Sequence, residues 1–452
     1  MPRAISNLKT SVAGVRGVIG ETLTPSLIAN FASAFGQWTG PGPVVIGTDT
    51  RPSSMMVQEA VVAGLLAVGC EPLLYGVLPT PTIQLMVSRL QAVGGIAITA
   101  SHNPESWNAL KFISGRGMFL SPSESRELHN IYHQSRADYV GEDRLRPVRR
   151  LSDGFSLHER RIHEVVDVEA IRAAKLRVAV DCANGAGAPF APDFLRRLGC
   201  EVVALNTETD GVFRRMPEPV PESLGELCTA VRDHGCAVGF AQDPDADRLV
   251  LVDDSGQALN ENYTLALCAA HVLRSRTKGP VTATVATSDL LRDICTQEGV
   301  PYHLTKVGEI HVSTTMLENG SVIGGETNGG VIWPAVHPCR DSFAGMALIL
   351  EMLAKGASTL TQQVDSLPRR AQAARKIEMS VEAGNALVRR LRDRYASTQP
   401  LLLDGIRIAF PRGWVLIRPS NTEPVLRILA DAATSEELNS MLAEIDAEIA
   451  LC

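Results

Sequence analysis

The chain has 452 residues and a formal net charge of −7, from 43 Lys plus Arg against 50 Asp plus Glu. That mild acidity argues against a dedicated binder of nucleic acid or anionic membrane, and 45% hydrophobic with 21% charged residues is too apolar for general disorder. At roughly 100–200 residues per domain, the length predicts three or four domains, each with its own core. The first ten residues lack an apolar signal core and no segment gives an uninterrupted apolar run long enough to span a bilayer, which predicts a cytoplasmic protein. Nine cysteines without a Cys-x-x-Cys pair predict buried reduced thiols rather than disulfides or a zinc knuckle.

In chain order, three β-branched runs end in polar turns before a helical pattern. Residues 44–46 lead into 47–54, residues 176–180 into 181–187, and residues 281–285 into 286–289. Helical spacing then ends at Gly69 and Gly199, predicted C-caps, each followed by a short strand at 72–75 or 201–205. Strand–turn–helix units of this kind predict α/β domains, here one architecture used about three times. Residues 141–150 and 356–375 are predicted linkers. Beyond them the pattern predicts a strand at 376–380, a helix near 381–395, strands at 404–410, 414–417 and 426–430, and a helix at 435–449, a small α+β domain. The expected boundaries are 1–147, 148–256, 257–367 and 368–452.

Four loops carry candidate chemistry. After the strand-like 95–99 comes Ser101-His102-Asn103-Pro104, with Lys111 just beyond; a serine beside His at a strand end is a candidate nucleophile or phosphate carrier, or a turn whose polar groups only satisfy backbone. After 237–241 comes Asp243-Pro-Asp245-Ala-Asp247-Arg248. Three alternate carboxylates can converge on one hard cation, and Arg248 sits where a calcium loop needs Gly, so Mg²⁺ shared with a phosphate fits better; the alternative is a solvated acidic turn. In Gly324-Gly-Glu326-Thr-Asn328-Gly-Gly330 the glycines admit a ligand and Glu326 and Asn328 suit sugar hydroxyls, or the stretch is a plain hairpin turn. Arg418-Pro-Ser420-Asn421-Thr422-Glu-Pro424 with Arg427 reads as a phosphate clamp or as a β-bend with surface arginines.

Taken together and in this order, the motifs Thr99–Pro104, Asp243–Arg248, Gly325–Gly329 and Arg418–Pro424 resemble the α-D-phosphohexomutase superfamily over essentially the whole chain. The resemblance implies three similar α/β domains with mixed sheets plus a C-terminal α+β domain, arranged around a central cleft. It implies an intramolecular phosphotransferase that interconverts hexose 6- and 1-phosphates through a phosphoserine and a sugar 1,6-bisphosphate, acting on a small hexose phosphate as monomer or homodimer. By the same resemblance Ser101 carries the phosphate, and Ser101, Asp243, Asp245 and Asp247 hold Mg²⁺. Lys111 is the general base or acid, with His102, Arg16 and Arg248 around it. Glu326, Asn328, Lys306, Arg418, Ser420, Asn421, Thr422 and Arg427 bind substrate. Glu309 and Gly330 depart from the pattern common in glucose- and mannose-phosphate enzymes. The form Gly325-Glu-Thr-Asn-Gly-Gly330 and the opening Ser11–Gly17 look most like the phosphoglucosamine branch, whereas Asn421 is equally at home in phosphomannomutase/phosphoglucomutase enzymes. A non-catalytic sugar-phosphate binder on the same fold is the reading from another class.

Overall fold

A computed structural model describes residues 8–12, 14–134, 137–419 and 425–450. The chain divides into two compact units. The first comprises the residues up to Thr264 together with Gly329–Thr361, and the second Leu265–Asn328 together with the chain from Gln362 onward. Among the described residues, no helix is long and apolar enough to cross a membrane.

The first unit holds a seven-stranded mixed sheet in the order Lys9–Ser11, Gly14–Val18, Trp107–Ser114, Gly94–Ile98, Pro43–Thr48, Glu71–Val77, Arg149–Arg150. Its centre is parallel and its Trp107–Ser114 side antiparallel. Helices Pro25–Thr39 and Ser54–Ala67 pack on one face and Thr80–Arg89 on the other. Val44, Val45, Ile46, Ile96, Ala97 and Ile98 are therefore all fully buried, which is why these strands read as unbroken apolar runs instead of alternating ones. Gly69 and Gly199 follow their helices with φ of 78° and 90°, as the C-cap reading requires.

A second sheet in this unit runs Leu249–Val252, Val238–Gln242, Arg177–Asp181, Glu201–Leu205. Only its first strand is antiparallel, and Gln242 pairs with Leu249, so the acidic motif Asp243–Arg248 is the turn between two paired strands. The hairpin Val331–Trp333 and His337–Arg340 leads into the helix Ser342–Lys355. Asp341 caps that helix, accepting from the amides of Phe343 (2.9 Å) and Ala344 (3.2 Å).

His337 is buried, with Nε2 facing the carbonyl of Gly117 at 2.8 Å, and burial pushes its imidazole down to about 4. A histidine whose folded pKa lies below its unfolded value of 6.5 opposes folding once the unfolded chain takes up the proton. Stability is thus expected to be flat above pH 6.5 and to fall between pH 6.5 and about 4. Between pH 7 and 5 this one group costs about 2 kcal/mol. Urea titrations at the two pH values check it: His337→Gln should lose less on acidification than the parent, and equal losses would reject the assignment.

The second unit contains three parallel strands, with Val281–Thr284 between Tyr302–Thr305 and Ile323–Gly325. It also contains an antiparallel sheet ordered Ala371–Glu378, Val425–Ala432, Gly413–Pro419, Ile406–Phe410. Helices Val381–Arg394 and Ser435–Ile449 cover the sheet through Leu387, Leu391, Leu438, Leu442 and Ile445. Its Trp414 and Leu416 pack on Val285 and Ala286, and Arg407, stacked 4.2 Å from the Trp414 ring, reaches Asp289 at 2.7 Å.

Both stretches read as linkers prove to hold regular structure. Residues 356–375 contain the helix Leu360–Asp365 and the first half of the strand Ala371–Glu378, so that strand begins five residues before the expected 376. Its partner dictates the start: pairing runs unbroken from Ala371↔Ala432 to Glu378↔Val425. The core face there is Ala371 and Ala373, too weakly apolar to mark a strand in sequence. Within 141–150, Arg149 and Arg150 pair with Leu73 and Leu74 as a charged sheet edge.

Candidate active site

Ser101 follows the strand Gly94–Ile98 in a left-handed conformation, φ 50°, with its amide donating to Thr99 Oγ1 at 3.0 Å. A non-glycine residue keeps this conformation only if its surroundings hold it there. Arg51 does so. Its fully buried guanidinium donates to the carbonyls of Ser101 (2.7 Å), Asn103 (2.6 Å), Pro104 (2.5 Å) and Trp107 (3.0 Å), and Nε pairs with Asp49 at 2.9 Å. Five donors in a rigid fork suit such a fan of carbonyls. Sequence reasoning saw residues 47–54 only as a turn, since nothing local reveals contacts some fifty residues away.

Ser101 Oγ donates to Asp243 Oδ2 at 2.8 Å. Asp243, Asp245 and Asp247 are buried, and one oxygen of each lies within 4.8 Å of the others. Asp243 Oδ1 accepts from the amides of Asp247 and Arg248, both at 3.2 Å. Asp245 Oδ2 accepts from Lys111 Nζ (2.5 Å) and Thr80 Oγ1 (3.0 Å), and Asp247 Oδ2 from Arg340 Nη2 (2.6 Å). The remaining oxygens, Asp245 Oδ1 and Asp247 Oδ1, are buried without a hydrogen-bond partner among the described residues. Orphaned carboxylate oxygens are costly without a cation, and an all-oxygen set suits a hard divalent ion. The triad therefore fits a metal.

Charge supports the same conclusion. Burial and then the Asp245 and Asp247 carboxylates push Asp243 well above the usual carboxylate range. Burial acts on Asp245 in the same direction, but the Lys111 ammonium, a hydrogen bond with Asp243 and the Arg340 guanidinium together outweigh it and hold that carboxyl well below the range. Three buried acids this close stay ionised only with positive charge among them, part of which Lys111, Arg340 and Arg248 supply. Arg248 lies 3.8 Å from Asp243 and from Asp247, and 3.3 Å from Glu218. Arg16 donates to Asn103 Oδ1 at 2.9 Å. Burial, with the Arg248 and Arg16 cations, holds His102 down to about 3, so its imidazole is neutral at working pH, and Nδ1 has no hydrogen-bond partner among the described residues. Thus Ser101, His102, Lys111, Arg16, Arg248 and the three aspartates meet in the first unit. Sequence reasoning missed Arg51, Thr80 and Arg340 around them.

The other expected residues lie in the second unit. Glu326 is buried and Oε1 accepts from the Gly308 amide at 2.8 Å, tying it to the turn between Lys306 and Glu309. Asn328 Oδ1 is buried without a partner among the described residues. Glu309 opens the helix Glu309–Asn319 and is buried. Asp404 joins this turn to the clamp, since Oδ2 accepts from the Val307 amide (3.3 Å) and Oδ1 from Arg418 Nε (2.9 Å). Arg418 sits opposite Arg427, which sits opposite Lys376, so three cations form a row across three strands. Like charges in register repel and suit an anion. Ser420, Asn421 and Thr422 lie outside the described residues.

Four family descriptions match the chain in succession: Phosphoglucomutase/phosphomannomutase alpha/beta/alpha domain I over residues 7–138, domain II over 158–256, domain III over 260–371, and the C-terminal domain over 367–448. A "Phosphoglucomutase/phosphomannomutase" of Thermococcus kodakarensis is 37% identical over 442 residues, 95% of each chain. The chain belongs to the phosphohexomutase family. A protein of Methanopyrus kandleri named "Probable phosphoglucosamine mutase" is 36% identical over 434 residues, again 95% of each chain. The crystal structure of a phosphoglucomutase/phosphomannomutase family protein from Burkholderia thailandensis superposes with a TM-score of 0.85 at 26% identity, covering 98% of this chain and 96% of that one. The enzyme is accordingly an isomerase-class phosphotransferase, and four family domains, three of them α/β, agree with the fold class expected from sequence.

For such an enzyme the acidic turn must be held closely. Gly185 shows how little room it has: a Cβ there would lie 2.4 Å from the Pro244 carbonyl oxygen and 2.5 Å from its Cα, while Ala186 donates to that carbonyl at 2.7 Å. Gly185→Ala is expected to displace the turn. Misplacement near 1 Å lowers kcat by about 100-fold, which steady-state kinetics beside an unchanged far-UV spectrum would register. Activity within threefold of the parent would show that the turn adapts.

Proposed function

We propose that the enzyme is a Mg²⁺-dependent phosphoglucosamine mutase converting glucosamine 6-phosphate to glucosamine 1-phosphate. The observation that carries the reading is Ser101 Oγ at 2.8 Å from Asp243 within a buried three-carboxylate cluster. Ser101 is the phosphate carrier, and Ser101, Asp243, Asp245 and Asp247 would hold Mg²⁺. When bound, the ion supplies charge neutralisation to the phosphoryl oxygens. Ser101 gives its phosphate to the free position of the substrate, forming a sugar 1,6-bisphosphate, and then takes back the other phosphate after the sugar has turned over. Lys111 exchanges the proton of the sugar hydroxyl as general base or acid, with His102 close by. Arg16 and Arg248 add positive charge. Glu326, Asn328 and Lys306 orient the sugar, while Arg418, Ser420, Asn421, Thr422 and Arg427 hold the phosphate that is not reacting.

The choice of sugar is supported by the Gly325–Gly330 motif and by the name of the Methanopyrus kandleri relative. A second reading, phosphomannomutase/phosphoglucomutase, is supported by the Thermococcus kodakarensis relative. A non-catalytic binder would have no need of Ser101, Lys111 and all three aspartates together. Side-by-side kinetics with Mg²⁺ on glucosamine 6-phosphate, glucose 1-phosphate and mannose 1-phosphate decides. We expect the highest kcat/KM on the glucosamine compound. A higher value on either of the others establishes the second reading, and dominant release of inorganic phosphate rejects a mutase altogether.

A further inference from the structure

Arg340 lies outside the four motifs yet reaches the centre of the site. It ends the strand His337–Arg340, and Nη2 meets Asp247 Oδ2 at 2.6 Å, with 10% of the arginine side chain and none of the aspartate exposed. Its two neighbours anchor it. Asp341 Oδ2 faces His158 Nε2 at 2.7 Å, and His158 Nδ1 in turn faces Thr82 Oγ1 at 2.8 Å. Ser342 donates to the Ala246 carbonyl at 2.6 Å, inside the acidic turn, and accepts from Gln242 Nε2 at 2.8 Å. Arg340 and Ser342 thus grip the acidic turn from outside it, while Asp341 between them is tied to His158.

We propose that Arg340 is a positioning residue that sets the strength of the cation site. It aims Asp247 Oδ1 inward while cancelling part of the charge that attracts the ion. The proposal rests on reading the aspartate cluster as the Mg²⁺ site. Its two effects oppose each other, and magnitude decides between them. Loss of orientation loosens one ligand, whereas removing a full positive charge a few ångströms from a buried dication is the larger effect at any plausible interior dielectric. Cation binding should therefore tighten when Arg340 is neutralised. With Lys111 on Asp245, Arg340 on Asp247, and Arg248 3.8 Å from Asp243 and from Asp247, the carboxylate charges are largely offset. A dication is then held firmly only when a phosphate on Ser101 adds its own negative charge, which links the grip on the ion to the state of the carrier.

The test uses Mn²⁺ as probe, followed by electron paramagnetic resonance titration of the full chain, on preparations whose intact mass shows no phosphate. Arg340→Met is expected to bind Mn²⁺ at least roughly ten-fold more tightly than the parent, and Arg340→Lys within about three-fold of it. Lost structure cannot tighten binding, so the direction separates charge tuning from a mere strut. Unchanged or weaker binding in Arg340→Met overturns the proposal. If Arg340→Met does not fold, Arg340→Gln is compared with Arg340→Lys: tighter binding in the glutamine variant supports the proposal and equal affinities overturn it. A parent that binds no Mn²⁺ even when Ser101 carries its phosphate, or whose binding is untouched by Asp245→Asn, overturns the metal-site reading and this proposal with it.

Discussion

Ser101→Ala is expected to lower turnover by at least roughly 10⁴-fold and to abolish the single phosphate that intact mass should find on a fraction of the parent. The size follows from the lack of a substitute. Two hydroxyls close to the site are committed: Thr99 Oγ1 accepts from the Ser101 amide and bonds Asp49, and Thr80 Oγ1 donates to Asp245. Neither can take the proton-free, in-line position of a nucleophile without giving up a buried partner. Removing one oxygen leaves the aspartates, Lys111 and Arg340 in their mutual contacts, so the variant should fold and its loss should fall on kcat. Added sugar 1,6-bisphosphate should not rescue it. If the variant keeps turnover once charged with bisphosphate, Ser101 is not the carrier.

Arg51→Met is expected to cost about 3–5 kcal/mol of stability together with nearly all activity. The change strands Asp49, a fully buried carboxylate that burial already pushes upward in pKa and that Arg51 pulls back. It also deprives four carbonyls around Ser101 of their donor. Leaving a buried charge unpaired is among the costliest single changes a core can suffer. Arg51→Lys should recover little, because one ammonium has three donors and cannot span the same fan. Urea unfolding gives the stability and intact mass the extent of Ser101 phosphorylation. A loss under 1 kcal/mol in Arg51→Met, or full activity in Arg51→Lys, would show that the serine loop holds its left-handed turn unaided.

Legibility in the sequence followed the range of the interaction. The helix Ser435–Ile449 was visible because Thr434 caps it through the Glu437 amide and its apolar residues recur at helical spacing. The acidic turn was visible because its three carboxylates alternate within five residues, and the serine loop because its polar residues are contiguous. The strand Ala371–Glu378 was half hidden because its register comes from Val425–Ala432, not from its own alanine-rich face. Arg51, Thr80, Gly185 and Arg340 were invisible as site residues, each looking in sequence like an ordinary turn, cap or strand end.

By itself, then, the sequence determined the chemistry on offer: a serine, three aspartates, a lysine and clustered arginines, each in a short motif, within a chain whose net charge of −7 excludes a generally cationic surface. Tertiary structure decided how that chemistry is held. It places Arg51 behind Ser101, Lys111 and Thr80 on Oδ2 of Asp245, and Arg340 on Oδ2 of Asp247, so that Oδ1 of each is left without a hydrogen bond among the described residues. The physical reason is that a motif records neighbours along the chain. Charge compensation and hydrogen-bond satisfaction in a buried site are supplied by whichever distant strand or helix end packs there, and no local pattern of residues encodes it.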